Sequence, residues 1–164
     1  MEQKIIKHLD LLIERYPNLS VCKEDIEKAY KLLEAVYASE GKLLVCGNGG
    51  SASDSEHIVG ELMKEFKLKR KVYSDQAAAM RAIDSKKGEV LAENLQGALP
   101  AITLTAHSSL ATAFMNDSEP ILVFAQQVNG YGKVGDCFLG ISTSGNSQNV
   151  LYAAITAKAR GLKV

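Results

Sequence analysis

Near the start of the chain, apolar residues recur with a helical period. Ile5, Leu9, Leu12 and Tyr16 share one face, and Ile6 and Ile13 widen it. That stripe predicts an amphipathic helix over residues 2–16, stopped by Pro17. Ile26, Tyr30, Leu33 and Tyr37 form a second stripe, predicting a helix over 23–39 that ends at Gly41. The period then changes. Lys42-Leu-Leu-Val-Cys46 is a short apolar run bounded by glycines, as expected of a buried strand. It feeds a polar turn, Gly47 to Ser53, and a helix over about 54–66. The unit recurs as a strand over 99–105 with helices near 108–115 and 121–128. It recurs again as a strand over 137–141, a hydroxyl-rich turn over 142–147 and a helix to about residue 160.

Strand alternating with helix implies a parallel sheet with helices on both faces, a three-layer α/β sandwich of flavodoxin-like type. No linker or low-complexity segment divides the chain, so 1–164 is expected to be one domain, with residues 1–40 as amino-terminal helices. Two amphipathic helices ahead of the first strand need a surface to dock on. A second subunit is expected to supply part of it. Residues 67–97 contain Lys67, Lys69, Arg70 and Lys71 and then a helix-prone stretch; 72–97 reads as a helical insertion. Gly161-Leu-Lys-Val164 has the pattern of the start of another buried strand, which leads to the expectation of a carboxyl-terminally incomplete sheet.

Composition narrows the function classes. With 164 residues, 46% of them hydrophobic and 23% charged, the chain can bury a core and has no signature of disorder. A formal net charge of zero removes the broad electrostatic case for nucleic acid. No run reaches the roughly 18 apolar residues of a membrane span, and the amino terminus lacks a signal-peptide apolar stretch. Three cysteines without CxxC pairing suit a reducing cytoplasm.

The chemistry concentrates at the strand ends. Ser142, Thr143, Ser144 and Ser147, with Gly145 and Asn146 between them, follow a buried strand and open a helix. Helix N-termini carry unpaired N–H groups and partial positive charge. Small hydroxyls add neutral donors, and a glycine lets backbone approach. Four hydroxyls in six positions point to a phosphate; the plainer alternative is an N-cap, for which Ser147 alone suffices. The turn at Gly47–Ser53 is neither a Walker loop nor a dinucleotide fingerprint, yet it occupies the same place at a strand's carboxyl end, where ligands of open α/β sheets sit. His57 and Glu61 lie four apart on one helix face. They suit either a shared metal or a base with its partner, or else a solvated pair. Asn116-Asp117 is either a helix stop or a polar pair for sugar hydroxyls. The basic run at 67–71 reads as solvated surface.

Assembled in order, Cys46-Gly-Asn-Gly-Gly-Ser51, His57-Ile-Val-Gly-Glu61-Leu, Asn116-Asp117, Gly135-Asp136 and Gly140-Ile-Ser-Thr-Ser-Gly-Asn-Ser147 with Asn149-Val150 resemble the sugar isomerase (SIS) domain family. Within it they resemble the phosphoheptose isomerases, over nearly the whole chain except about 72–97. The resemblance implies a five-stranded parallel sheet and a homotetramer with active sites between subunits. It implies conversion of sedoheptulose 7-phosphate to the heptose 7-phosphate aldose by enediol proton transfer. It makes Asn48, Gly49, Gly50, Asn116 and Asp117 substrate contacts, gives the phosphate to Ser142, Thr143, Ser144 and Ser147, and makes His57 and Glu61 zinc ligands with Glu61 also the base. Family members carry a further glutamine and histidine on a later helix, beyond these residues, so the 164 residues alone are expected to show little turnover. Glu65 stands where relatives commonly have arginine. Two other SIS readings are a non-catalytic protein that binds a replication initiator and a sugar-phosphate-sensing domain. Glu61 and the intact hydroxyl run argue against the first, and the second needs an attached DNA-binding module.

Overall fold

The structure, a computed structural model, describes residues 3–164. The chain divides into two units, one ending at Gly41 and one spanning Lys42–Val164. In the first, α1 (Gln3–Arg15) leads through a 3₁₀ turn at Pro17–Cys22 into α2 (Lys23–Ala38). Pro17 ends one helix and opens the next turn, where its missing N–H is not required. The two apolar stripes face each other, with Ile5, Leu9 and Leu12 opposite Ile26 and Tyr30. Lys23 Nζ reaches Asp10 at 2.7 Å across the same pair.

The second unit contains β1 (Leu43–Gly47), α3 (Gly50–Met63), α4 (Ser74–Ile83), α5 (Ser85–Asn94), β2 (Ala101–Thr103), α6 (Ser108–Asp117), α7 (Val123–Tyr131), β3 (Cys137–Ile141) and α8 (Gln148–Ala159). The strands form a wholly parallel sheet in the order β2-β1-β3. β1 is therefore central, and its residues Leu43 to Cys46 are at most 1% exposed, which explains an apolar run without alternation. Phe138 of β3, Val128 of α7, and Ala153 and Ala157 of α8 complete the core. The small residues at 153 and 157 share one face of α8, which lets that helix lie close to its neighbours.

Three strands form among the described residues, where the resemblance implies five. A further parallel bridge joins Lys163 to Cys137, with Phe138 N donating to the Lys163 carbonyl at 2.8 Å. The pattern at 161–164 thus does begin to pair along β3. At the amino-terminal end of the sheet, Asp136 is 4% exposed and accepts bonds from the backbone N–H of Lys42 and of Lys133 and from the Lys42 ammonium. Burial pushes this carboxyl up, but those hydrogen bonds and the Lys42 charge together hold it below the ordinary aspartate range.

Between α3 and β2 the chain makes an excursion through α4 and α5. Its ends are held together by an antiparallel bridge between Lys71 and Gln96 and by Gly97 N donating to the Arg70 carbonyl at 2.8 Å. Asp84 caps α5 by accepting from the N–H groups of Lys86 and Lys87. The two helices touch so closely at Gly88 that a Cβ there would lie 2.1 Å from the Met80 carbonyl oxygen. No helix among the described residues is long and apolar enough to cross a membrane.

Candidate functional site

Strand order decides where a ligand can sit. From β1 the chain crosses to β2 on one side, then returns past β1 to β3 on the other. The turns leaving β1 and β3 therefore diverge, opening a crevice at the carboxyl ends of the strands, where α/β sheets bind ligands. A cavity of about 430 Å³ lies at the carboxyl ends of β1 and β2, with polar residues Asn48, Thr105 and Asn149 on an apolar wall that includes Leu104, Met115 and Phe124. A separate cavity of about 230 Å³ is lined by Ser142, Gly145 and Ser147 of the β3 turn with Phe138 and Val150.

The turn after β1 is shaped by backbone. A Cβ at Gly47 would lie 2.6 Å from both Cβ and O of Ser51, so only glycine lets the first turn of α3 pack against the strand end. Gly49 has φ +55° and ψ −121°, a conformation closed to L side chains. These constraints start α3 at Gly50 rather than near 54, so half of the expected polar turn is helix. Ser51 and Ser55 are buried, and the Ser55 hydroxyl donates to the Ser51 carbonyl at 2.7 Å. Gly50 is the first residue of α3 and is exposed.

The turn after β3 is shaped by hydroxyls. Ser142 Oγ lies 2.9 Å from Ser147 Oγ and 3.4 Å from Ser144 Oγ. Gly145, at φ +70°, turns the chain, and its N–H donates to the Ser142 carbonyl. The N-cap alternative has a clear outcome. Ser147 occupies the cap position of α8, but its side chain makes no cap hydrogen bond and is turned toward Ser142 instead. The hydroxyls gather around one another, so Ser147 does not cap the helix. In the first turn the Val150 N–H is taken by Asn149 Oδ1 at 3.0 Å, and the start of α8 beside the hydroxyls is suited to an incoming anion. Thr143 and Ser144 are exposed at the rim.

The two turns are joined directly. Asn48 Nδ2 donates to Asn149 Oδ1 at 2.9 Å, and Asn149 Nδ2 donates to Asn48 Oδ1 at 2.8 Å. A second tie runs from the Thr105 hydroxyl to Glu56 Oε1 at 3.0 Å, linking the end of β2 to α3. Neither Glu56 nor Asn149 carries a local signal for these contacts. Their partners lie 49 and 101 residues away, beyond any local pattern.

Other candidate residues stand farther from the cavity. Asn116 and Asp117 close α6, exposed, with Asn116 Nδ2 donating to Asp117 Oδ1 at 2.8 Å; the neighbouring Met115 lines the cavity instead. On α3, His57 Nε2 is 3.5 Å from Glu61 Oε1, and Lys64 Nζ is 3.5 Å from the same oxygen. Glu61 Oε2 is buried without a hydrogen-bond partner. Helix direction carries this pair away from the crevice. Glu61 is nine residues beyond the cavity-lining Ala52, about 14 Å along the axis at 1.5 Å per residue. Leu62 already accepts from Leu99 N, just ahead of β2, at the opposite end of the sheet. Among the described residues no three His, Cys, Asp or Glu side chains are placed to hold a metal ion. His57 and Glu61 are two donors of a tetrahedral set, and two do not hold zinc alone. Cys46 is fully buried in β1, and that burial pushes its thiol up to about 12, away from the thiolate a nucleophile needs.

The model of the SIS domain matches residues 18–95 and 76–164. The chain belongs to the SIS domain family, on its phosphoheptose isomerase branch. It is 35% identical to the phosphoheptose isomerase of Helicobacter pylori over 163 residues, covering 99% of this chain and 70% of that protein. It is 37% identical to that of Clostridium acetobutylicum over 139 residues, covering 85% of this chain and 58% of the relative. The solved structure of the phosphoheptose isomerase from Neisseria gonorrhoeae superposes with a TM-score of 0.67 at 30% identity, covering 98% of this chain and 70% of that one. The chain thus spans between 58% and 70% of the length of these three proteins. The SIS fold accounts for the β1 and β3 turns lying side by side although nearly a hundred residues separate them.

Proposed function

We propose that this SIS domain binds a phosphorylated ketose, sedoheptulose 7-phosphate, and serves its isomerisation to D-glycero-D-manno-heptose 7-phosphate. The start of α8, where Ser147 makes no cap and the hydroxyls converge instead, carries the reading. Ser142, Thr143, Ser144 and Ser147 would hold the phosphate as neutral donors beside the helix N-terminus. Asn48, Gly49 and Gly50 would meet the sugar chain, with Asn116 and Asp117 at the outer rim. The names of the relatives support the choice of substrate.

Turnover needs a base. Glu61 would take a proton from C1 of the ketose as a C1–C2 double bond forms and the C2 oxygen gains a proton. Return of the proton to C2, with loss of the proton on O1, leaves the aldehyde at C1. Nothing is oxidised or reduced overall. The axial separation of Glu61 from the crevice favours a base supplied to each crevice by another copy, which accords with a homotetramer as the working assembly. His57 would orient Glu61. Zinc belongs to the reading only with donors additional to His57 and Glu61, and no step is assigned to it. A cytoplasmic location completes the proposal and agrees with reduced cysteines.

The test titrates the chain with sedoheptulose 7-phosphate and follows exchange of the C1 protons in D₂O by NMR, with zinc present and absent. Binding is expected, with slow exchange at most, which Glu61→Gln abolishes while leaving binding intact. No binding overturns the whole reading. Binding without exchange leaves a sugar-phosphate binding domain as what these 164 residues do by themselves, and exchange that survives Glu61→Gln removes Glu61 as the base.

A further inference from the structure

The reciprocal pair between Asn48 and Asn149 fixes more than the spacing of two turns. A primary amide has two N–H donors and one oxygen with two lone pairs, and rotation about its last bond exchanges oxygen for nitrogen. Left alone on an exposed turn beside Gly49, the Asn48 amide would present either face to a ligand. Asn149 removes that freedom. Its Oδ1 accepts from the Val150 backbone N–H at 3.0 Å, inside the first turn of α8, and this sets which end of the Asn149 amide is oxygen. The same oxygen accepts from Asn48 Nδ2, while Asn149 Nδ2 donates to Asn48 Oδ1. A flip of either amide would set nitrogen against nitrogen and oxygen against oxygen.

The inventory that remains is specific. Both lone pairs of Asn149 Oδ1 are used. Asn48 keeps one N–H and one oxygen lone pair, and Asn149 keeps one N–H. Both residues line the 430 Å³ cavity at the carboxyl ends of β1 and β2, while Ser142, Gly145 and Ser147 line a separate cavity of about 230 Å³. One donor next to one acceptor, held at fixed orientation, matches an alcohol, which both donates and accepts. A phosphate oxygen only accepts.

We infer that Asn149 is a positioning residue that locks the Asn48 amide to read hydroxyl groups of the sugar chain, separately from the phosphate grip at Ser142–Ser147. The inference rests on the sugar-phosphate reading of the site. It divides recognition into two parts, an anion part on α8 and a polyol part on the amide pair, and makes α8 the source of orientation for both.

Two measurements on the 164-residue chain test it. The first compares affinity for sedoheptulose 7-phosphate and for inorganic phosphate in the native protein, Asn149→Ala and Asn149→Ser. Serine keeps a small oxygen near the Val150 N–H but cannot form the reciprocal ring, so it guards against disruption of the helix start. Both variants should bind the sugar phosphate about ten-fold more weakly, the worth of one to two hydrogen bonds, and inorganic phosphate within about two-fold of the native value. Equal losses for both ligands, or no loss for either, overturn the inference, because a merely structural role would move the two together. The second follows the Asn48 side-chain amide by NMR without ligand. Its two protons should be well separated and protected in the native chain and collapse to free-amide behaviour in both variants. Unchanged signals overturn the positioning role. If the native protein shows no preference for the sugar phosphate over phosphate, the functional reading fails while this second measurement still judges the pair.

Discussion

The turns after β1 and β3 hold equivalent places in the fold and are built on opposite principles. Each follows a strand of five residues and opens a helix at the carboxyl edge of one sheet. The β1 turn is made by what is missing: Gly47 has no Cβ to strike Ser51, and Gly49 tolerates a positive φ. The β3 turn is made by what is present, hydroxyls that find one another beside the helix start. The comparison teaches that topology supplies hollows at the strand ends while side-chain chemistry decides which of them takes an anion.

The sharpest way to separate the two turns is to strip the hydroxyls. Ser142→Ala with Ser147→Ala should cost about 3 kcal/mol of sugar-phosphate binding, a loss above a hundred-fold by calorimetry, if each hydroxyl donates to a charged oxygen. The melting temperature should stay near that of the native chain. Gly47→Ala tests the other turn: overpacking against the α3 backbone should lower stability by about 2–3 kcal/mol in urea unfolding. Its counterpart is Gly140→Ala on β3, whose new Cβ would meet a methyl group of Val150 at 2.6 Å. That methyl can shift where backbone cannot, so a loss nearer 1 kcal/mol is expected in the same experiment.

The opposite end of the sheet offers a control that should leave both turns untouched. Asp136 is held below the ordinary aspartate range in the folded chain, so around and below about pH 4 the unfolded chain binds the more protons. The stability this carboxylate contributes is complete above that range and is lost as pH falls through its folded value. Asp136→Asn should destabilise the protein at neutral pH by about 2 kcal/mol and flatten the acid limb of its stability curve, without changing phosphate affinity. The smallest effect is expected from Thr105→Val, which removes the bond to Glu56 at the edge of the cavity. Thermal unfolding should register less than about 1 kcal/mol.

Much of this was legible in the residues because the signals were local. The strand at 137–141 and the hydroxyl turn behind it follow from a bounded apolar run and six consecutive small polar residues, and β3 has those limits. The early start of α3 was hidden because Gly47 to Ser53 has the composition of a turn, and packing against β1 overrides that preference. The distance of Glu61 from the crevice was hidden for another reason: an i, i+4 spacing establishes a shared face but not which end of the sheet that face reaches. The Asn48–Asn149 pair could not be read at all, since it exists only once three parallel strands have set two distant turns side by side.

The stapled base of the α4–α5 excursion has a consequence for how the chain tolerates change. Because residues 71 and 96 already pair, the sheet sees the intervening helices as a closed loop of fixed mouth. The entropy of closing such a loop grows only with the logarithm of its length, about 0.6 kcal/mol for each doubling. Material can therefore be spliced into or cut from this segment at small cost to the strands on either side, which makes the stapled mouth the natural port for grafting a reporter or a second domain onto the scaffold.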